Sequence, residues 1–490
     1  MEFPICLPFQ NEWWTFCILL VIVFTFVLAS EIILRLNWLS PESNRRLVHI
    51  SIGLLISASP FFFFNNTHPA MLAFIFVIIN IFALKNNIFK GIHSQNRKTY
   101  GTIYFPIAYL IITIGFWEYS ELIIICLLVL TISDPLASII GEKSSLKYKF
   151  IIWEDQKSIQ GTIAFFCSTF IIIYFSSKYF FNYSNSYLLV LSGFSAIAST
   201  IAEITSSKGS DNLSIPISTM LFMLCFFELD TPSNNIFNNN SILILIVIIA
   251  LFFIAYKLKT LTKSGFTGGL IMGIIVTILG SYQYLVPLTI FFILSSFLSK
   301  ILKKKSFYQS KGSNRDIIQV YANGGVSLCI CVMDYLYNDP ILFYLFLSSV
   351  AAAMSDTWAT EFGKLSKKKP VSIISFKTVE FGISGGVTSI GTVGALLGSS
   401  IIGFSAWLLI PFYSKIIFGI IFSGFFAAIF DSIIGATLQG KYRTKDGYIT
   451  EIASHETTLI AGFRWIDNDV VNLANTLIAP VLMYLFLHII

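Results

Sequence analysis

Two short stretches carry the side chains best suited to chemistry. Ser133-Asp134-Pro-Leu-Ala137-Ser138-Ile-Ile-Gly141 closes one apolar run, and Ser355-Asp356-Thr-Trp-Ala359-Thr360-Glu361-Phe-Gly363 closes another. Both fit Ser-Asp-x-x-Ala-[Ser/Thr]-x-x-Gly. A carboxylate in a bilayer-spanning helix costs roughly 2.5–3.5 kcal/mol to insert and marks a functional site by default. Two in the same setting suggest a duplicated site. The plainer alternative is a buried Asp bonded only to neighbouring helices.

Around Asp134 the sequence supplies partners. Lys157-Ser158-Ile-Gln160-Gly161-Thr162 opens a later apolar run, and Lys143 stands just after the Asp134 motif. A helix start offers free backbone N–H groups and the positive end of the helix dipole, which favour a phosphate. Gly161 would let an anion approach, and Ser158, Thr162, Lys143 and Lys157 would donate to it. The competing reading is a capped helix start with a snorkelling Lys. Glu203 ends one apolar run, and Asp211-Asn212 precedes the next. Carboxylates at one level suit Mg²⁺, which is usually held by one or two of them together with substrate phosphates. Asp134 with Asp211 is the expected pair. His49, beside Arg45 and Arg46, is either part of this site or a core histidine satisfied by a backbone carbonyl.

The second half repeats the order. Gly382-Ile-Ser384-Gly385-Gly386-Val-Thr388 is expected to open the span after Asp356 and to cradle phosphate. Asp431 lies near the end of a span, and Asp467-Asn468 precedes the last one. Asp356 is expected to hold Mg²⁺ with Asp467 or Asp431. Lys311-Gly-Ser-Asn-Arg315, followed by Gln319 and Asn323 on one helix face, is a second candidate phosphate cradle. Its alternative is a charged loop followed by small residues used in helix packing.

These residues must be positioned by membrane helices. The chain has 490 residues, 55% of them hydrophobic and only 12% charged, with mean hydropathy +0.77. That excludes a soluble protein. Runs of about 20 apolar residues recur throughout. The first, near 13–34, has no basic residue before it and no small-residue cleavage site, and reads as a retained span. The expected architecture is an all-α polytopic membrane protein. It has about sixteen spans, near 13–34, 47–64, 69–84, 100–117, 120–140, 158–176, 187–204, 214–229, 240–256, 265–280, 284–300, 316–337, 341–360, 384–409, 412–434 and 471–489. The polar segment near 230–240 divides it into two related halves, 1–235 and 236–490.

Alternate loops carry nearly all the Lys and Arg, which the positive-inside rule places in the cytoplasm with both candidate sites. The net charge of +6 is spread over these short loops and is no nucleic-acid signature. The seven Cys include no CxxC pair and read as membrane-buried thiols. No Walker A sequence, protein-kinase signature set, His-Glu-x-x-His or Gly-x-Ser-x-Gly occurs.

Residues 40–225 resemble the dolichol kinase and phytol kinase family. The resemblance rests on Arg46 to His49, the Asp134 motif, Lys157-Ser158-x-x-Gly161-Thr162, Glu203 and Asp211-Asn212-x-x-Ile215-Pro216. Gln160 departs from the acidic residue expected in the Lys-Ser-x-x-Gly motif. Residues 245–488 resemble the transmembrane protein 19 family through Lys311 to Arg315, Gln319 to Asn323, Asp356 to Gly363, Gly382 to Gly386, Asp431-Ser-x-x-Gly435-Ala-Thr-x-Gln439 and Asn468.

The resemblance implies a prenyl alcohol substrate and CTP or a related nucleotide as donor. It implies one phosphorylation in the first half, with Glu203 or His49 taking the alcohol proton. It implies a second phosphorylation, of the prenyl phosphate, in the second half; this combined activity would place the protein in tocopherol-type synthesis of phytyl diphosphate. Two rivals are a secondary transporter with duplicated halves and a membrane cytidylyltransferase that leaves the nucleotide on the product. Polar residues gathered at one membrane face, not at the midplane, favour surface chemistry over transport.

Overall fold

Short polar side chains start many of the helices. Ser40, Ser158, Ser184 and Asp339 each accept a backbone N–H in the first turn of α2 (Pro41–Ser57), α7 (Ile159–Phe180), α8 (Asn185–Ile204) and α13 (Pro340–Gly363). Such caps satisfy donors that the helix itself leaves free. The protein is described by a computed structural model covering residues 11–86, 99–143, 145, 148–152, 155–228, 239–303, 315–409, 414–445, 448–453 and 457–489. Most of the expected 230–240 link lies outside the described residues.

The chain forms two compact units, Met1–Thr231 and Pro232–Ile490. The first unit also contains α1 (Glu12–Arg35), α3 (Thr67–Lys85), α4 (Gly101–Phe116), α5 (Ser120–Leu128), α6 (Asp134–Glu142) and α9 (Asp211–Glu228). The second also contains α10 (Asn239–Lys257), α11 (Lys263–Lys303), α12 (Ile317–Tyr337), α14 (Ser389–Leu409), α15 (Ser414–Thr437) and α16 (Asn468–Ile489). Packing follows the same order in both. In the first, α1 meets α2, α3 meets α4, α4 meets α9, α6 meets α7, α7 meets α8 and α8 meets α9. In the second, α10 meets α11, α11 meets α12, α12 meets α16, α13 meets α14, α14 meets α15 and α15 meets α16.

The helix leading to each motif Asp is the axis of its unit. Leu122 to Leu127 of α5 and Phe346 to Ser355 of α13 are all buried. Small residues bring neighbours close, as expected where helix association rests on close packing. A Cβ added at Gly424 of α15 would lie 2.7 Å from Ala351 Cβ, and one at Gly398 of α14 would lie 2.8 Å from the Met354 carbonyl oxygen.

Among the described residues, twelve helical stretches are long and apolar enough to cross a bilayer. The expectation was about sixteen. Residues 101–142 run on as one helical stretch, and α9 and the described part of α10 are short. The seventeen-residue α2 carries Glu42, Arg45 and Arg46 on its first turns. The expected all-α membrane architecture holds. The loops hold short antiparallel strands: β1 (Lys149–Ile152) with β2 (Asp155–Ser158), β3 (Val371–Ser372) with β4 (Gly386–Val387), and β5 (Lys441–Thr444) between β6 (Ile449–Thr450) and β7 (Thr457–Ala461).

Candidate functional site

In the first unit a π-helical turn, Val129–Ser133, separates α5 from α6, so that Asp134 begins a new helix with Pro135 behind it. Such turns often accompany functional sites. The electrostatic neighbours of Asp134 are Asp211, Lys157, Glu203 and Arg45. Asp211, Lys157 and Glu203 are the partners expected from the sequence; Arg45, named there only as a neighbour of His49, is a fourth. Lys157 Nζ donates to Glu203 Oε1 at 2.6 Å and lies 3.4 Å from Ser206 Oγ. Burial lowers the Lys157 pKa, but Glu203 and Asp211 outweigh it and hold the ammonium above its ordinary value. The second oxygen of Glu203 is buried and has no partner.

The phosphate cradle expected at Lys157 to Thr162 is largely committed internally. Ser158 Oγ accepts the Gly161 N–H at 3.1 Å. A Cβ on Gly161 would stand 2.9 Å from the Ala137 carbonyl oxygen and 3.3 Å from Gly141 Cα. Gly161 is therefore spent on the crossing of α6 and α7. Thr162 Oγ1 is buried without a partner, and Lys143 is exposed just past the end of α6.

His49 makes the backbone-carbonyl contact of one of its two expected readings. Its Nε2 lies 3.3 Å from the Leu130 carbonyl oxygen. A carbonyl can only accept, so the neutral ring carries its proton on Nε2 and keeps Nδ1 as an acceptor. Arg46 donates to Ser138 Oγ at 3.0 Å and pairs with Glu142, tying α2 to α6. Asp211 Oδ1 takes the Asn212 backbone N–H at 3.0 Å.

In the second unit the electrostatic neighbours of Asp431 are Asp356 and Glu451. Asp467 is not among them. It accepts the N–H groups of Asp469 and Val470 and so caps α16. Of the two partners considered for Asp356, the geometry brings Asp431. One oxygen of Asp431 is buried and unpartnered. Glu451 was missed because it sits in a loop with no apolar pattern around it. It accepts from Ser384 N at 2.6 Å, Ser384 Oγ at 2.9 Å and Gln439 Nε2 at 2.9 Å. Lys441 donates to the Ala436 carbonyl at 3.0 Å; burial lowers its pKa, partly countered by Glu451.

The Gly382 to Gly386 stretch does not open a helix. Gly382 and Gly385 are turn residues with φ of +83° each, and Gly386 pairs with Ser372 in the β3–β4 ladder. The next helix starts at Ser389, where Thr388 Oγ1 accepts the Gly391 N–H at 3.0 Å. A Cβ on Gly391 would meet the Ala359 carbonyl oxygen at 2.9 Å and Gly363 Cα at 3.5 Å. Gly391 and Thr388 thus occupy the places that Gly161 and Ser158 occupy in the first unit. The longer loop hid this match from sequence spacing.

Lys311 lies outside the described residues. Arg315 precedes α12, with its guanidinium 5.7 Å from the Phe291 ring. Burial lowers its pKa while Glu361 raises it. Glu361 also accepts from Ser299 and Lys364, at 2.9 and 2.8 Å. Gln319 completes a capping box with Asp316, and Asn323 donates to the Gln319 carbonyl. Among the described residues, no three His, Cys, Asp or Glu side chains converge closely enough to hold a metal ion by themselves.

The profile of the family described as Integral membrane protein DUF92 matches residues 246–480. An uncharacterized membrane protein of Methanocaldococcus jannaschii is 32% identical over 200 residues, 40% of this chain and 83% of that relative. The chain belongs to this integral membrane protein family. Protein PGR of Arabidopsis thaliana is 27% identical over 261 residues, covering 47% of this chain and 90% of that protein. A phytol kinase of Synechocystis is 26% identical over 197 residues, covering 40% and 84%. No solved structure matches. Membership in a membrane family accords with the apolar helices of both units.

Proposed function

We propose that the chain is a prenyl alcohol kinase whose first unit phosphorylates the alcohol and whose second unit phosphorylates the resulting monophosphate. The observation that carries this reading is the meeting of Asp134, Asp211 and Glu203 with Lys157 and Arg45 at the end of the first unit's axial helix. Similarity to proteins named phytol kinase supports phytol or a similar isoprenoid as the acceptor. The resemblance of the two halves to alcohol-kinase and prenyl-phosphate-kinase families supports the order of the steps, with CTP or a related nucleotide as donor. The basic loops flanking each site favour the cytoplasmic surface.

Phosphoryl transfer depends on positioning and charge neutralisation more than on covalent help. The acceptor oxygen attacks the γ-phosphorus, the bond to the bridging oxygen breaks and a nucleoside diphosphate leaves. A neutral alcohol must also shed a proton. Nδ1 of His49 is the acceptor we assign to it, because the ring donates through Nε2 and keeps Nδ1 as an acceptor, whereas Glu203 gives one oxygen to Lys157 and offers the other to a cation. The donor sets suit Mg²⁺ brought in with phosphates: hard carboxylate oxygens, one unpartnered on Glu203 and one on Asp431, with no complete protein cage. Asp134 and Asp211 would hold it in the first unit, and Asp356 and Asp431 in the second. The ion would neutralise charge on the transferring phosphoryl group.

Purified protein given a prenyl alcohol and CTP labelled separately in the base and the γ-phosphate tests the reading. Transfer of the γ-label alone to the lipid, with release of CDP, is expected. Base label on the lipid would make it a cytidylyltransferase, and no label on lipid under any nucleotide would remove the kinase reading.

A further inference from the structure

Between α1, α2, α3 and α4 of the first unit lies a cavity of about 120 Å³. Its walls are apolar, with Val27, Ile52, Ile56 and Phe76 among them. Arg45, His49, Ile52 and Ile56 of α2 line it in succession, which spans roughly 16 Å at 1.5 Å per residue. One end is polar. There Arg45 and Asn212 close over Gly101, where an added Cβ would lie 2.6 Å from Asn212 Nδ2 and 3.2 Å from Arg45 Nη2. Arg45 is also an electrostatic neighbour of Asp134. The other end is floored by the fully buried Tyr109, whose hydroxyl donates to Ser59 Oγ at 2.7 Å.

We infer that this cavity holds the hydrocarbon tail of the acceptor, an isoprenoid alcohol whose hydroxyl rests beside His49. The inference deepens the kinase reading and rests on it for the identity of the occupant. Three observations lead there. Apart from Asn80, Thr102 and the residues of the polar end, the walls are apolar and poor in the hydrogen bonds that a sugar or nucleotide would need. The polar residues Arg45, His49 and Asn212 lie at one end, and Arg45 is an electrostatic neighbour of Asp134, so an occupant with one polar head has a single orientation. The floor is closed by a hydrogen-bonded Tyr, so length is limited. At about 120 Å³, close to an apolar cavity that holds one benzene, it takes about one or two isoprene units, and the rest of a longer tail would have to leave between helices.

The second unit repeats the arrangement. A cavity of about 70 Å³ lies between α10, α11 and α12, with Phe252, Met272 and Phe291 in its wall. Its polar residues are Thr289, Arg315, Gln319 and Asn323. An Arg at this place suits a tail that already carries a phosphate.

The test uses the full-length protein in nanodiscs with an isoprenoid alcohol bearing a diazirine at its far end. After irradiation, peptides are mapped by mass spectrometry, with and without excess unlabelled isoprenoid alcohol. Label on the peptides bearing Ile56 and Tyr109, displaced by the competitor, is expected. Ile52→Trp, which fills the cavity, should remove that label and raise the KM for the alcohol at least tenfold, with the nucleotide KM unchanged. Tyr109→Ala should shift preference towards longer alcohols. The wild-type map stands alone if either variant fails to fold. Label confined to lipid-facing residues such as Phe74 would overturn the inference, as would competition by bulk phospholipid equal to that by the alcohol. Displaceable label in the cavity without any phosphoryl transfer would keep the tail site and refute the kinase reading. Transfer without label there would do the opposite.

Discussion

The two units share a frame and differ in how they load it. In both, an axial helix ends in Ser-Asp-x-x-Ala-[Ser/Thr]-x-x-Gly, and the closing Gly crosses a second Gly just past a Ser or Thr cap. The residue before the cap is Lys157 in the first unit and Val387 in the second. The first unit pairs that Lys with Glu203 and adds His49. Among its described residues the second has neither at the corresponding places and recruits Glu451 and Lys441 from its loops instead. Helix crossings are kept where backbone must touch backbone, while charges are free to come from different elements. On the proposed account this divergence follows the acceptors. A neutral alcohol needs a base, whereas a phosphate is already largely ionised near neutral pH and needs cations to hold it.

The comparison can be broken most forcefully at the Lys157–Glu203 pair. Its side chains are only 16% and 8% exposed. Glu203→Gln strands a buried ammonium, and losing one member of a buried pair costs about 3–5 kcal/mol. Denaturation of the first unit should shift accordingly, and Lys157→Met in the same chain should restore part of the loss. A Glu203→Gln protein as stable as wild type would mean that the pair is open to water.

The shared crossing is the next target. Gly161→Val and Gly391→Val each drive a side chain into the partner helix, and overpacking of this kind costs about 1–3 kcal/mol. Equal losses in thermal melts of the two variants are expected. A benign Gly391→Val would remove it as the counterpart of Gly161. The smallest effect belongs to Arg315→Lys. Losing one of the two parallel bonds that a guanidinium can give a phosphate forfeits about 0.5–1 kcal/mol, which raises the KM for prenyl monophosphate roughly two- to fivefold. Alcohol phosphorylation should be unaffected. An unchanged monophosphate KM with a raised nucleotide KM would move Arg315 to the donor.

Much of this frame is legible in the sequence because membrane helices announce themselves by composition. The duplicated Asp motif, and the gathering of Glu203, Asp211 and Lys157 at Asp134, follow from residues at the ends of apolar runs. Other features are hidden for identifiable reasons. A glycine at a helix start reads equally as an anion site or as a packing surface, and only the approach of Ala137 and Gly141 settles Gly161 as packing. Loop insertions carry no periodicity, so spacing puts the Gly382 to Gly386 turn where Thr388 and Gly391 belong, and nothing in the pattern marks Glu451. Arg45 reads equally as a charge at the membrane surface because Asp134, its electrostatic neighbour, is distant in sequence.

The central claim is that one chain holds two separable sites. The most direct measurement gives γ-labelled CTP and a prenyl alcohol to purified Asp134→Asn and Asp356→Asn proteins, resolves mono- from diphosphate, and repeats the assay with the monophosphate supplied. Asn keeps the shape of Asp and removes the charge. Asp134→Asn should make no monophosphate yet convert supplied monophosphate to diphosphate, and Asp356→Asn should accumulate monophosphate and stop there. Loss of both steps in either folded variant would contradict the account.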